Sequence, residues 1–197
     1  VLLTHAHMDH VGYLPRLVSG GFSGRVWATA PSIRLSEIVL RDSAFLNERD
    51  AEHAAQRGYS KHTPPLPLYT TADVEATLPL FRAVGYHSPL DLGDGIVARY
   101  YPAGHILGSA SIHVTTPGTE VVFSGDVGRH EHPVLRPREV PPGAATVLIE
   151  STYGDREHPE PSVAHEPFAD LIRRTVRRGG SVLVPAFAVD RTEVLLK

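Results

Sequence analysis

Four residues able to ligate a metal ion, His5, His7, Asp9 and His10, fall within six positions directly after the apolar run Val1-Leu2-Leu3. That run reads as a buried strand, so the chain must carry a dense polar cluster at a strand end. Along an extended segment, side chains i and i+2 point the same way, and His5 and His7 can grip one ion together. Val11, Leu14, Leu17 and Val18 follow at helical spacing as far as Gly20-Gly21. The turn into that helix re-aims Asp9 and His10 toward a second point nearby. The 197-residue chain has 12 histidines and no cysteine, so disulfides and thiolate sites are excluded and any metal must rest on imidazole and carboxylate. Those donors suit zinc. Two ions roughly 3.5–4 Å apart can clamp a nucleophile and a leaving oxygen together. A merely solvated polar turn would not need four ligand-type residues at this spacing.

The rest of the chain reads as α/β. Arg25 to Thr29 is a strand, and Pro31 opens a long amphipathic helix carrying Ile33, Ile38, Leu40 and Phe45. Residues 50–68 are polar, end in Pro64-Pro65-Leu66-Pro67, and read as a loop. Thr70 or Thr71 caps a helix carrying Val74, Leu78 and Phe81. The period then changes. Strands are predicted at Ile96 to Tyr101, Ser109 to Thr115, Glu120 to Phe123 and Thr146 to Ile149, with a hairpin turn at Thr116-Pro117-Gly118-Thr119. A helix from about Val163 to Arg178, a strand from Ser181 to Pro185 and helical spacing from Val189 onward complete the pattern. Residue 1 is not methionine and no C-cap precedes Lys197, so the chain reads as an internal segment of a longer protein. No apolar run approaches the roughly 20 residues needed to span a bilayer, and no signal sequence is visible, which points to the cytoplasm.

His5-Ala6-His7-Met8-Asp9-His10 resembles the signature of the metallo-β-lactamase superfamily. Two later segments match its next landmarks in order: Gly104-His105-Ile106-Leu107-Gly108-Ser109 and Ser124-Gly125-Asp126-Val127-Gly128-Arg129. Three more resemble the RNA-cleaving β-CASP branch. They are Pro67-Leu68-Tyr69-Thr70 leading to Asp73-Val74, Glu150-Ser151-Thr152-Tyr153-Gly154-Asp155, and Val184-Pro185-Ala186-Phe187-Ala188-Val189-Asp190-Arg191. The branch usually has glycine where Asp190 stands.

The resemblance implies an incomplete αββα sandwich over residues 1–154 and the start of a β-CASP cap domain over 155–197. It implies two zinc ions. His5, His7 and His105 would hold the first, Asp9 and His10 the second, and Asp126 would bridge both. A metal-bridging hydroxide would cleave RNA phosphodiester bonds. Glu150 would orient a histidine, outside this chain, that protonates the leaving group. The family's early aspartate motif and two late histidines have no counterpart here, which leaves the second zinc site incomplete. His53, His62, His87, His113, His130, His132, His158 and His165 match no motif and read as loop, surface or packing residues. His130 and His132, just after Asp126, are the best candidates for substrate-side groups. RNA is the expected partner, and a homo-oligomeric full-length form is left open. The formal charge of -3 does not favour a freestanding nucleic-acid binder, but all 19 basic residues except Lys61 and Lys197 are arginine, which suits phosphate contacts. Two alternatives remain: a small-molecule hydrolase of the same fold acting on thioesters or lactones, and a non-catalytic RNA-binding subunit.

Overall fold

The computed structural model of the chain describes residues 1–157, 161–187 and 189–196, with 161–165 as backbone only. His158 and Ala188 lie outside the described residues, as does the His165 side chain. Two compact units emerge, Val1–Glu150 and Ser151–Lys197.

In the first unit the leading apolar run does not form a full strand. Leu2 makes one parallel bridge to Trp27, and the backbone alternates: Trp27 N donates to Val1 O and Leu3 N to Trp27 O. The predicted first helix is broken into α1 (Met8–Val11) and α2 (Leu14–Ser19), the latter ending at Gly20. Strand β1 (Val26–Ala28) leads into α3 (Ala30–Arg57), whose N-cap Thr29 accepts a hydrogen bond from Ser32 N. Helix α3 runs well into the stretch expected to be a loop. Residues 51–57 are alanine-rich and contain no breaker before Gly58, which ends the helix at φ 67°. Its buried stripe is also not the one its large apolar residues suggest. Ser32, Ser36, Leu40 and Ala44 face inward at four-residue spacing, while Ile38 and Phe45 are exposed. The small side chains let α3 lie close to its neighbours.

Helix α4 (Thr71–Thr77) begins with a capping box, Thr70 Oγ1 accepting from Asp73 N and the Asp73 carboxylate from Thr70 N. Pro79 then tightens the chain into a 3-10 turn. Phe81 consequently falls in β2 (Phe81–Ala83), not in the helix, and β2 pairs parallel with β1.

The second sheet runs in the order β3 (Leu90–Gly93), β4 (Ile96–Pro102), β5 (Ala110–Thr115), β6 (Glu120–Phe123), β7 (Thr146–Leu148). Its pairings are antiparallel except β6 with β7, which is parallel, so the sheet is mixed. The small sheet is shared between two cores. Val26, Ala28 and Phe81 join Leu14, Leu40, Ala44 and Val74 of the helices. Trp27 instead packs with Tyr100, Ala98, Ala110 and Ile112 of the five-stranded sheet. Alternation along β1 thus sandwiches it between helices and sheet. Tyr100 fixes that junction, its buried hydroxyl donating to Trp27 O at 2.9 Å. Burial pushes its phenol above the ordinary tyrosine range.

In the second unit, α5 (Pro161–Arg177) precedes Gly179, and α6 (Arg191–Leu196) closes the described chain. Residues 181–187 carry no strand, so the expected strand at 181–185 is not formed in the described structure. Asp190 sits at φ 75°, left-handed geometry that glycine takes freely and aspartate tolerates better than most side chains. No helix among the described residues is long and apolar enough to cross a membrane.

Candidate metal centre

Three loops at one end of the five-stranded sheet build the centre. The first carries the histidine run. His7 is the N-cap of α1 in extended geometry, φ -67° and ψ 150°, so His5 and His7 share a side before the chain turns. This segment is tied to the sheet by Ala110 N donating to Thr4 O at 2.9 Å. The second loop leaves β4 and carries His105, whose backbone N–H donates to Ser109 Oγ at 3.0 Å. The third leaves β6 and carries Asp126. Gly125, at φ 55°, presses against Thr4, where any Cβ would meet the Thr4 Cβ at 2.8 Å. Only glycine lets the Asp126 loop approach the histidine segment so closely.

The side chains converge. His7 Nδ1 lies 3.2 Å from His5 Nε2 and 3.0 Å from His105 Nε2. Asp126 Oδ2 lies 3.7 Å from His5 Nε2 and 3.3 Å from His105 Nε2. One ligand atom from each of the four falls within 4.8 Å of all the others. Tetrahedral zinc with Zn–N bonds of about 2.0–2.1 Å holds its donors roughly 3.3–3.4 Å apart. The donor set matches such an ion in number and chemistry, and four of its six pair distances, 3.0–3.7 Å, bracket that spacing. Three imidazoles and a carboxylate so placed could hold a cation between them.

Asp126 reaches the other way as well. Its Oδ1 lies 3.2 Å from His10 Nε2, and His10 in turn lies 3.5 Å from Asp9 Oδ2. The carboxylate thus stands between two groups, His5/His7/His105 and Asp9/His10. Asp9 is the loosest member, its side chain 76% exposed. His5 is the most buried, at 0% exposure. Burial first, then the neighbouring imidazoles of His10, His105 and His7, push its pKa down to about 2. Neutral imidazole is the form that ligates.

Glu150 bonds to the residues flanking the Asp126 turn. Its Oε1 accepts from Val127 N at 3.0 Å, next to Asp126, and its own N–H donates to Ser124 Oγ at 3.0 Å. Thr4 is a residue the sequence did not single out. Its Oγ1 stands 3.1 Å from His5 Nδ1 and 3.5 Å from His10 Nδ1, on the ring edges turned away from Asp126. A hydroxyl directly before a histidine run is the only signal that could have marked it.

Several motif residues lie elsewhere. Tyr69 is buried in the helical core with its hydroxyl on Ser43 Oγ, and Thr70 and Asp73 cap α4. His113 pairs across the sheet with Glu120, and His87 with Glu139. His132 turns Nδ1 toward the N–H groups of Val134 and Leu135, which fixes a loop.

Comparison with known proteins bears on this arrangement directly. No protein-family model matches the chain. Among individual proteins, it is 38% identical over 196 residues to ribonuclease TTHA0252 of Thermus thermophilus, covering all of this chain and 41% of that protein. It is 35% identical over 199 residues to endoribonuclease ysh1 of Schizosaccharomyces pombe, covering 24% of that protein, and 33% identical to RNase aCSPSF2 of Saccharolobus solfataricus, covering 37%. The chain is a homologue of the β-CASP metallo-β-lactamase ribonucleases. It spans from a quarter to two-fifths of the length of these relatives. The alignments span this chain from end to end, the three loops included.

Proposed function

We propose that the protein containing this chain is a zinc-dependent ribonuclease that hydrolyses RNA phosphodiester bonds. In this reading residues 1–154 form most of a metallo-β-lactamase αββα sandwich and 155–197 begin the β-CASP cap. The observation that carries it is the placement of Asp126, one oxygen toward His5 and His105 and the other toward His10. The names of the homologous ribonucleases supply the substrate class.

His5, His7, His105 and Asp126 would hold one zinc ion, and Asp9, His10 and Asp126 a second. When bound, such a pair supplies Lewis acidity toward the phosphoryl oxygens and a water-derived nucleophile at neutral pH. The chain's own residues supply the preorganisation. Thr4 sits against the outer nitrogens of His5 and His10 and so favours the ring orientation that turns Nε2 inward. Glu150 holds the peptide after Asp126 through Val127 N–H. The Glu150 carboxylate would orient a histidine from another part of the protein, which would protonate the leaving oxygen.

The test uses purified full-length protein loaded with zinc. Labelled single-stranded RNA should be cleaved to products with 5′-phosphate and 3′-hydroxyl ends, and chelation should abolish the cut. Turnover of nitrocefin or a glutathione thioester with RNA left intact would overturn the assignment.

A further inference from the structure

The His105 loop is gripped from behind by the start of α3. Gly108 O accepts two hydrogen bonds, from Thr29 Oγ1 at 2.6 Å and from Ser32 Oγ at 2.9 Å. Thr29 Oγ1 also lies 3.1 Å from Ser32 Oγ, so the two hydroxyls and the carbonyl form one hydrogen-bonded cluster. Thr29 Oγ1 also accepts Ser32 N–H at 3.3 Å, so the same atom caps the helix. Both side chains are buried, at 2% and 0% exposure. The contact is close enough to demand glycine. Gly108 has φ 84°, and a Cβ there would meet Ser32 N at 2.6 Å and Thr29 Oγ1 at 2.7 Å.

From Gly108 the constraint passes to His105 in three residues. Ser109 Oγ accepts from the N–H groups of both His105 and Ile106, and Ser109 N donates to Ile106 O. Ser109 O is held in turn by Ala103 N and by the Tyr86 hydroxyl. The loop is thus laced by hydrogen bonds, and the Gly108 carbonyl attaches it to the start of α3. Helix α3 is itself a 28-residue strut seated in the core by Leu40 and Ala44.

We infer that Thr29 and Ser32 are positioning residues for the His105 ligand: their paired hydroxyls fix Gly108 O, and through it the point at which His105 Nε2 meets the metal centre. This rests on the metal-centre reading above. Removing either hydroxyl leaves a buried acceptor half satisfied and frees the loop to shift. Ligand-orienting partners of this kind typically govern metal affinity by about 10–100-fold.

The full-length protein is compared with Ser32→Ala, Thr29→Val, the hydroxyl-retaining Thr29→Ser, and Ser36→Ala. Ser36 is buried on the same helix but donates to Ser32 O, away from Gly108. Three quantities are read: zinc affinity by competition with a chromogenic chelator, the cobalt(II) absorption spectrum, and hydrogen exchange at 104–109 in metal-free protein. Ser32→Ala and Thr29→Val should weaken the tighter zinc site by about 10–100-fold, change the cobalt spectrum and speed exchange in that loop. Thr29→Ser and Ser36→Ala should match wild type in all three. If Thr29→Val fails to fold, Ser32→Ala decides, because it leaves the Thr29 cap in place. Wild-type affinity and spectrum in Ser32→Ala, with only a stability loss like that of Ser36→Ala, would overturn the inference. Wild-type protein that binds no zinc would overturn the metal-centre reading, and this one with it.

Discussion

Glu150 Oε1 accepts the backbone N–H of Val127 at 3.0 Å, so the carboxylate at the end of one strand holds the peptide beside Asp126 at the end of another. This contact and the proposed orienting role meet in one side chain, and substitution can separate them. Glu150→Gln keeps an acceptor for Val127 N–H and should keep zinc content near wild type. Its RNA cleavage should still fall, since the charge that orients the proposed proton donor is gone. Glu150→Ala removes both and should lose metal affinity by about 10–100-fold as well. Metal content by mass spectrometry and single-turnover cleavage check this pair. Full zinc content in Glu150→Ala would remove the loop-holding role.

Asp126 and His105 should differ in the same assay. Asp126 faces both histidine groups, whereas His105 packs with His5, His7 and Asp126 in the first group. Asp126→Ala should therefore deplete both ions, and His105→Ala mainly the first. The proposed ligand assignment fails if Asp126→Ala retains full metal and activity.

The contrast between what was readable and what was not follows the range of the interactions. That His5, His7, Asp9 and His10 lie close together was legible because an extended segment turning into a helix is local geometry. That His105 and Asp126 join them needed the order of family landmarks, since nothing local brings a histidine after Gly104 to that place. Strands β4 to β7 announced themselves by period and turn residues. Strand β2 did not, because Phe81 continues the apolar spacing of the preceding helix, and β3 was not read as a strand at all. Helix α3 exceeded its expected end because alanine-rich polar sequence without glycine reads equally well as loop or helix surface. Thr29 and Ser32 look like an ordinary N-cap in sequence. Their bond to Gly108 spans more than seventy residues, and only the fold brings it about.

His5 gives the metal-free protein a defined acid sensitivity. Burial, followed by the imidazoles of His10, His105 and His7, holds its folded pKa at about 2, against an ordinary value of 6.5. Between those values the unfolded chain binds a proton at this position and the folded chain does not. Stability is therefore fully present above pH 6.5 and is lost as the pH falls through that window toward 2. Urea unfolding of metal-free protein should show a lower midpoint at pH 5 than at pH 7.5. His5→Asn removes this titration and should flatten the dependence. Equal pH slopes in the two proteins would exclude His5 as the source.

The two proposed zinc sites should also differ in strength within residues 1–197. The first has four donors, His5, His7, His105 and Asp126, each presenting an atom within 4.8 Å of the rest, which is the number tetrahedral zinc prefers. The second has His10 against Asp126 Oδ1 at 3.2 Å, and an Asp9 whose side chain is 76% exposed and 3.5 Å from His10. Three donors, one of them largely solvated, leave this site short of a ligand. Protein of this span should thus bind one zinc ion tightly and a second weakly, and competition with a chromogenic chelator should resolve two steps. Cleavage of RNA should be negligible, because the proposed proton donor, worth roughly 10²–10⁴-fold, comes from elsewhere in the protein. Two equally tight sites would require another ligand from within the chain. His130 would then be the residue to change first, since His132 Nδ1 already accepts the N–H groups of Val134 and Leu135. Loss of the second tight step in His130→Ala would place that side chain among the ligands and correct its reading as a surface residue.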